Sequence, residues 1–307
     1  MPADAIPGTF SLLAGVWLSD CTSSNEIGVC HVFQVELIER VRAACTDDPG
    51  LDAALMYGSF AKGEADEHSD IEFWLFFTEA ARTKLDPAAW CARIAPVSHV
   101  LLNEFGTHVA FFPHLVRGEF HFATTAHIPA VSLWPERGAP VQKMLVLDRS
   151  GRLEPVLRAL PERGPAPTGQ VAQTEYSDRF ANWLVLAWHL VQRGELLRAW
   201  DALGHVQRHL LWMARLAEQA AGHWLTPSRA AERELSPATV AGLAAAVSGA
   251  DEAGLRRALR IALAEGRRHW EAIAARDGGS LPAALFDELA DAMHAGAGRD
   301  AGVGGGE

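Results

Sequence analysis

The chain reads as an α+β protein: a mixed β-sheet domain with flanking helices, followed by an α-helical bundle. Three observations carry that reading. Short apolar runs bounded by Gly, Pro and acidic turns recur up to about residue 150. A set of prolines (Pro155, Pro161, Pro165, Pro167) then marks a change of texture. Beyond it, apolar residues return at helical spacing for most of the remaining chain.

Residues 1–30 show no clear periodicity and are treated as an extension of unknown role. Over residues 31–46, Val35, Ile38, Val41 and Cys45 share one helical face. The run Thr46-Asp47-Asp48-Pro49-Gly50 stops that helix. Leu51–Tyr57 is an apolar strand ending at Gly58. Glu64–Ser69 is an acidic loop, and Ile71–Phe77 is a strand apolar on both faces. Two more strands, His99–Leu102 and His108–Phe112, flank an Asn103–Gly106 turn. Phe120–Phe122 belongs to a fifth strand and Met144–Leu147 to a sixth. This first domain is expected over 31–155 and the bundle over 165–295.

In the bundle, Phe180, Trp183, Leu184, Ala187 and Val191 form one stripe, with Gly194 placed to end that helix. Leu203, Val206, Leu210, Met213 and Ala217 form a second. Leu255, Leu259, Leu263, Trp270 and Ile273 form a third, and Leu285, Leu289 and Met293 a fourth. The tryptophans Trp183, Trp188, Trp200, Trp212, Trp224 and Trp270 are expected in the bundle core, with one or two free to line a pocket. The Gly-rich stretch 296–307 is expected to be a flexible tail.

Composition excludes several classes. The 307 residues carry 27 Lys plus Arg against 38 Asp plus Glu, a formal net charge of −11. Duplex nucleic acid is a poor partner for such a chain, because phosphate neutralisation by Lys and Arg supplies most of that affinity. With 49% hydrophobic and 21% charged residues the chain can fill a core. No apolar run reaches the roughly 18 residues that a membrane span needs. The N-terminus has no basic residue before the short apolar patch Phe10–Leu18, which does not suit a signal peptide. Cys21, Cys30, Cys45 and Cys91 lack CxxC spacing and are expected as buried thiols. A cytoplasmic location follows as an expectation.

The chemistry lies in Tyr57–Phe77, YGSFAKGEADEHSDIEFWLFF. Asp70 and Glu72 are two residues apart on an expected strand, so they share a face. Paired carboxylates repel unless a hard cation sits between them. Mg²⁺ is typically shared between one or two carboxylates and substrate phosphates. Gly58-Ser59 supplies a turn where backbone can approach a phosphate, with amides and a hydroxyl as donors. Lys62 adds a positive charge. Metal, phosphate anchor and triphosphate together suggest nucleotidyl transfer with in-line displacement.

The spacing Gly58-Ser59, nine residues, Ser69-Asp70-Ile71-Glu72 resembles the signature of the DNA polymerase β-like nucleotidyltransferase superfamily. The strings MYGSFAKGEADEHSDIEFWLFF, NEFGTHVAFF, LVRGEFHF and QRGELLRAW are similar to the lincosamide nucleotidyltransferases, which adenylylate lincomycin and clindamycin. The resemblance runs from about residue 31 into the helical region. It implies a nucleotidyltransferase-type sheet domain and a helical domain, often as a homodimer with the antibiotic held between domains. It implies ATP as co-substrate and Mg²⁺ on Asp70 and Glu72. It implies Glu119, of Arg117-Gly118-Glu119-Phe120, as the general base, Ser59 and Ser69 on the β- and γ-phosphates, and Lys62 as a basic phosphate contact. Independently, Glu119 and His121 share one strand face with Phe120 and Phe122 on the other, apolar surroundings that suit a base.

Plainer readings stand beside these. Glu119 could simply pair with Arg117. Glu64, Asp66 and Glu67 are read as a solvated loop without chemistry. His205 and His209 have zinc-compatible i, i+4 spacing but no third ligand, and are read as incidental. Arg256, Arg257, Arg260, Arg267 and Arg268 are read as a solvated helix side. The alternative acceptor is an aminoglycoside, whose polycation an acidic cleft attracts. The remaining alternative is a non-catalytic nucleotide-binding module, since fold alone does not establish function.

Overall fold

The structure, a computed structural model, describes residues 33–300. The expected extension 1–30, with Cys21 and Cys30, and the stretch 301–307 lie outside the described residues. The chain divides into two compact units between Gly164 and Pro165.

In the first unit, helix α1 (Phe33–Asp47) buries Leu37, Ile38, Val41 and Cys45 along one face. The Asp48 carboxylate accepts from Gly50 N at 3.0 Å and turns the chain into strand β1 (Leu51–Tyr57). A short helix, α2 (Gly58–Lys62), and the acidic loop lead into β2 (Ile71–Phe77). Helices α3 (Glu79–Arg82) and α4 (Pro87–Ala92) follow. The second is capped by Asp86, whose carboxylate accepts from Ala88 N and Ala89 N. The meander β3 (His99–Leu102), β4 (His108–Phe111) and β5 (Arg117–Thr124) comes next. A 3-10 segment, Thr125–Leu133, precedes α5 (Val141–Met144), β6 (Leu145–Asp148) and α6 (Leu153–Ala159).

The six strands form one sheet in the order β3-β4-β5-β2-β1-β6. β2 and β5 pair in parallel and all other neighbours are antiparallel. The parallel pair needs a crossover, which the segment from α3 to β4 provides. β2 lies between β5 and β1, which explains its apolar sequence. Its Phe73 stacks on Phe120 of β5 at 5.9 Å, and Trp90 meets Phe120 at 5.7 Å from behind. Burying each such aromatic contributes about 2–3 kcal/mol. Cys45 and Cys91 are free, buried thiols, and burial pushes both up to about 12.

The second unit is helical: α7 (Gly169–Ala172), a π-helical turn (Gln173–Asp178), α8 (Arg179–Gln192), α9 (Leu196–Ala217), α10 (Ala231–Glu234), α11 (Pro237–Ala245), α12 (Glu252–Asp277) and α13 (Ala283–Asp300). Gly194 takes φ 73° just past α8, where a side chain would be strained. The stripes on α8, α9 and α12 largely form the core. Some expectations change. On α13 the buried residues are Phe286, Leu289 and Met293, whereas Leu285 is exposed, because the face turns by one residue. Trp200 is 52% exposed rather than core. Of the α12 arginines, Arg257 and Arg268 are exposed as expected, while Arg256 pairs with Glu252 at 2.7 Å and lies over Trp188, and Arg267 pairs with Asp287 at 2.6 Å. Helix α13 runs to Asp300, so residues 296–300 of the expected tail have helical backbone.

Candidate active site

Strand alternation separates a buried face from an open one. On β5, Phe120 and Phe122 enter the core while Arg117, Glu119 and His121 stay partly exposed. On β2, Ile71, Phe73 and Leu75 are buried while Glu72 and Trp74 are partly exposed. The parallel register sets Glu72 beside Glu119 and Trp74 beside His121. The antiparallel register sets Tyr57, the last residue of β1, against Glu72. Two acids that are 47 positions apart in sequence thus lie level on adjacent strands.

Asp70 stands one residue before β2 rather than within it. Arg117 joins it to Glu119: Nη1 donates to Asp70 Oδ2 and Nη2 to Glu119 Oε1, each at 2.6 Å. The pairing of Arg117 with Glu119, read from the sequence as the plainer alternative, is therefore present, and it extends to Asp70. Burial pushes the Asp70 carboxyl above its ordinary value; Arg117 opposes the shift and Glu119 adds to it. Burial likewise raises the Tyr57 hydroxyl, with Glu72 and Glu119 adding to the effect. The site carries an excess of negative charge.

Gly58 takes φ 76°, and a Cβ there would lie 1.3 Å from Glu72 Oε2. The Glu72 carboxylate is thus seated on the Gly58 turn, and only glycine leaves room for it. Ser59 follows, 6% exposed, and its carbonyl accepts from Glu64 N at 2.9 Å. Lys62 extends over Gly138 and lies 3.9 Å from Glu136. The Ser69 hydroxyl donates to Asp66 Oδ1 and accepts from Asp66 N, both at 3.0 Å, closing the acidic loop. The structure brings Asp70, Glu72 and Glu119 to the head of one strand pair, with Gly58 and Ser59 beside them. It engages Lys62 and Ser69 with other partners.

Among the described residues no group of three or more His, Cys, Asp and Glu side chains is placed to hold a metal. The donor set nevertheless fits a hard divalent cation. It consists of carboxylate oxygens, it is short of positive charge, and Mg²⁺ takes one or two carboxylates when phosphate oxygens and water complete its shell. Asp70 and Glu72 are the residues that would hold it.

Two further features of the open face were not singled out from the sequence. Tyr57, Trp74, His121 and Trp134 form an aromatic floor, with Trp74 stacked on Trp134 at 5.6 Å and His121 at 5.2 Å from Trp74. The signal for it was the period-2 spacing Glu72-x-Trp74 and Glu119-x-His121. His121 shares a hydrogen bond with Thr107 Oγ1 at 3.0 Å, and burial holds its ring below its ordinary pKa. A cleft of 440 Å³ opens from Arg117, Glu119 and His121 toward the β3–β4 hairpin. Its floor is Leu101, Val109 and Phe111, and its rim carries Glu104 and Phe105.

In the helical unit, His205 stacks on Trp183 at 4.0 Å, and His209 Nδ1 lies 2.8 Å from the His205 carbonyl. Trp212 lines a 380 Å³ cavity with Leu211, Leu225 and Arg208. No helix among the described residues is long and apolar enough to cross a membrane.

Comparison with known proteins bears mainly on this second unit. Residues 171–277 match the family model described as lincosamide nucleotidyltransferase-like, C-terminal domain. No curated protein matches the chain. Among solved structures, an aminoglycoside 6-adenyltransferase from Bacillus subtilis is similar at 13% identity and a TM-score of 0.39, over 85% of this chain and 96% of that one. A nucleotidyltransferase-like protein from Exiguobacterium sibiricum 255-15 is similar at 11% identity and a TM-score of 0.33, over 85% of this chain and 89% of that one. Residues 171–277 thus resemble the C-terminal domain of lincosamide nucleotidyltransferase-like proteins, and they follow in sequence a sheet domain that bears the Gly-Ser turn and its acids.

Proposed function

We propose that the chain is an ATP- and Mg²⁺-dependent O-adenylyltransferase acting on a lincosamide such as lincomycin or clindamycin. The observation that carries it is the placement of Glu72 level with Glu119, with Asp70 tied to Glu119 and Gly58-Ser59 alongside. In this reading Asp70 and Glu72 would hold the cation, which when bound would supply charge neutralisation to the triphosphate and the leaving pyrophosphate. Gly58 and Ser59 present backbone and hydroxyl to the phosphates, with Lys62 and Ser69 as further contacts. Glu119 accepts the proton of the acceptor hydroxyl. The acceptor oxygen bonds to the α-phosphorus as its bond to the bridging oxygen breaks, and pyrophosphate departs.

The apolar floor of the cleft beside Glu119 supports an acceptor with an apolar face, as a lincosamide has. The second reading is an aminoglycoside acceptor, favoured by Glu104 on the rim and by the net charge of −11. A homodimer in the cytoplasm is part of the proposal by resemblance. The test is transfer of label from α-labelled ATP across a panel of both drug classes. Label on lincomycin and clindamycin supports the reading. Label confined to aminoglycosides moves the assignment to the second, and label on neither rejects both.

A further inference from the structure

Arg117 bridges two of the three acids at the head of β2 and β5. A guanidinium is planar and presents its terminal nitrogens in a fixed fork. Here the fork does not clasp one carboxylate; it spans two, with Nη1 on Asp70 and Nη2 on Glu119, each at 2.6 Å. The separation of those two acids is therefore set by the fork, and one oxygen of each is committed to it. The bridge is anchored through the backbone at both ends. Arg117 and Glu119 are two residues apart on β5, and Gly118 between them is in register with Ile71, the residue after Asp70.

We propose that Arg117 is a positioning residue of the transfer reaction. It ties the cation-holding carboxylate of Asp70 to the proton-accepting carboxylate of Glu119, leaving Oδ1 and Oε2 for the cation and the acceptor hydroxyl. This rests on the roles given above to Asp70 and Glu119. Arg117 itself touches none of the reacting atoms. Its positive charge also opposes a cation at Asp70, so the contact that orients the site weakens cation binding. Removing Arg117 then lowers turnover without weakening cation binding, which loss of a merely structural residue does not.

The test uses the full chain carrying R117A and R117K. Turnover falls about tenfold to a hundredfold in both, because an ammonium cannot span the two carboxylates, while KM for ATP stays within about twofold. Mn²⁺ binding to the nucleotide-free protein, followed by electron paramagnetic resonance, is unweakened or tighter. Millimolar methylguanidinium restores part of the R117A turnover, and methylammonium does not. An unchanged circular dichroism spectrum shows that R117K is folded. Turnover within about twofold of the parent overturns the proposal. So does a loss accompanied by weaker Mn²⁺ binding, or rescue by both amines or by neither. Asp70→Asn with parental Mn²⁺ binding and turnover instead removes the underlying role of Asp70, and the inference with it.

Discussion

As the proposed base, Glu119 has three demands to meet. It must lie on the open face, stand level with Glu72 and keep one oxygen for a proton. The first is met by strand alternation and was legible from the Arg117–Phe122 string. The second depends on the parallel register of β2 and β5, which pairs residues 47 apart and has no local signature. Glu119→Gln keeps the shape and hydrogen-bonding reach but cannot take a proton. Its turnover is expected to fall by about a hundredfold or more, with little change in ATP binding. Steady-state kinetics with separate binding of a non-hydrolysable analogue checks it. Arg117 shows the limit of reading by residue type. Its neighbour in sequence named one partner, Glu119, but Asp70 came within reach only when the strands paired.

Between elements, the β4–β5 connection is unusual. His114 and Leu115 take φ 62° and 60°, values that Asn and Gly adopt at lower cost, and Leu115 is 87% exposed. The hairpin tolerates the strain because β4 and β5 are paired on both sides. Leu115→Gly is expected to raise stability by about 1 kcal/mol, read as a higher urea midpoint. In the helical unit, His269 on α12 is fully buried and faces Glu265, Arg268 and Glu218; burial lowers its pKa from 6.5 to about 4. The unfolded chain therefore binds this proton first as the pH falls. Stability from the neutral ring is complete above pH 6.5 and is lost on acidification toward about 4, on the order of 3 kcal/mol in all. Urea midpoints across that range should fall with pH, and His269→Gln should flatten the slope. Helical spacing placed the α12 stripe correctly, yet it could not show that this histidine lies inside it. That depends on α9 and α11 packing over the same turn.

For the molecule as a whole, two separate cores account for most of the buried apolar side chains, one in each unit. The helical unit adds an internal polar tie: Arg215, with no exposure, donates to the carbonyls of Ala220, Pro227 and Arg229 and to Glu234. Removing it takes the guanidinium donor from three carbonyls and leaves the Glu234 carboxylate, which is exposed, with His223 as its partner. Arg215→Ala is expected to cost on the order of 3 kcal/mol through the lost carbonyl hydrogen bonds, seen as early loss of helical signal on heating. The sequence by itself determined the six strands in order, the first helix and most of the bundle stripes, because periodicity and turn chemistry are local properties; the short helices α2 to α6 left no such pattern. Only the tertiary structure decided that β5 pairs with β2, that Arg117 bridges Asp70 and Glu119, and that Lys62 and Ser69 turn to Glu136 and Asp66. Each of these is a choice among partners distant in sequence. It is settled by which strands share hydrogen bonds and which charges are left to neutralise one another.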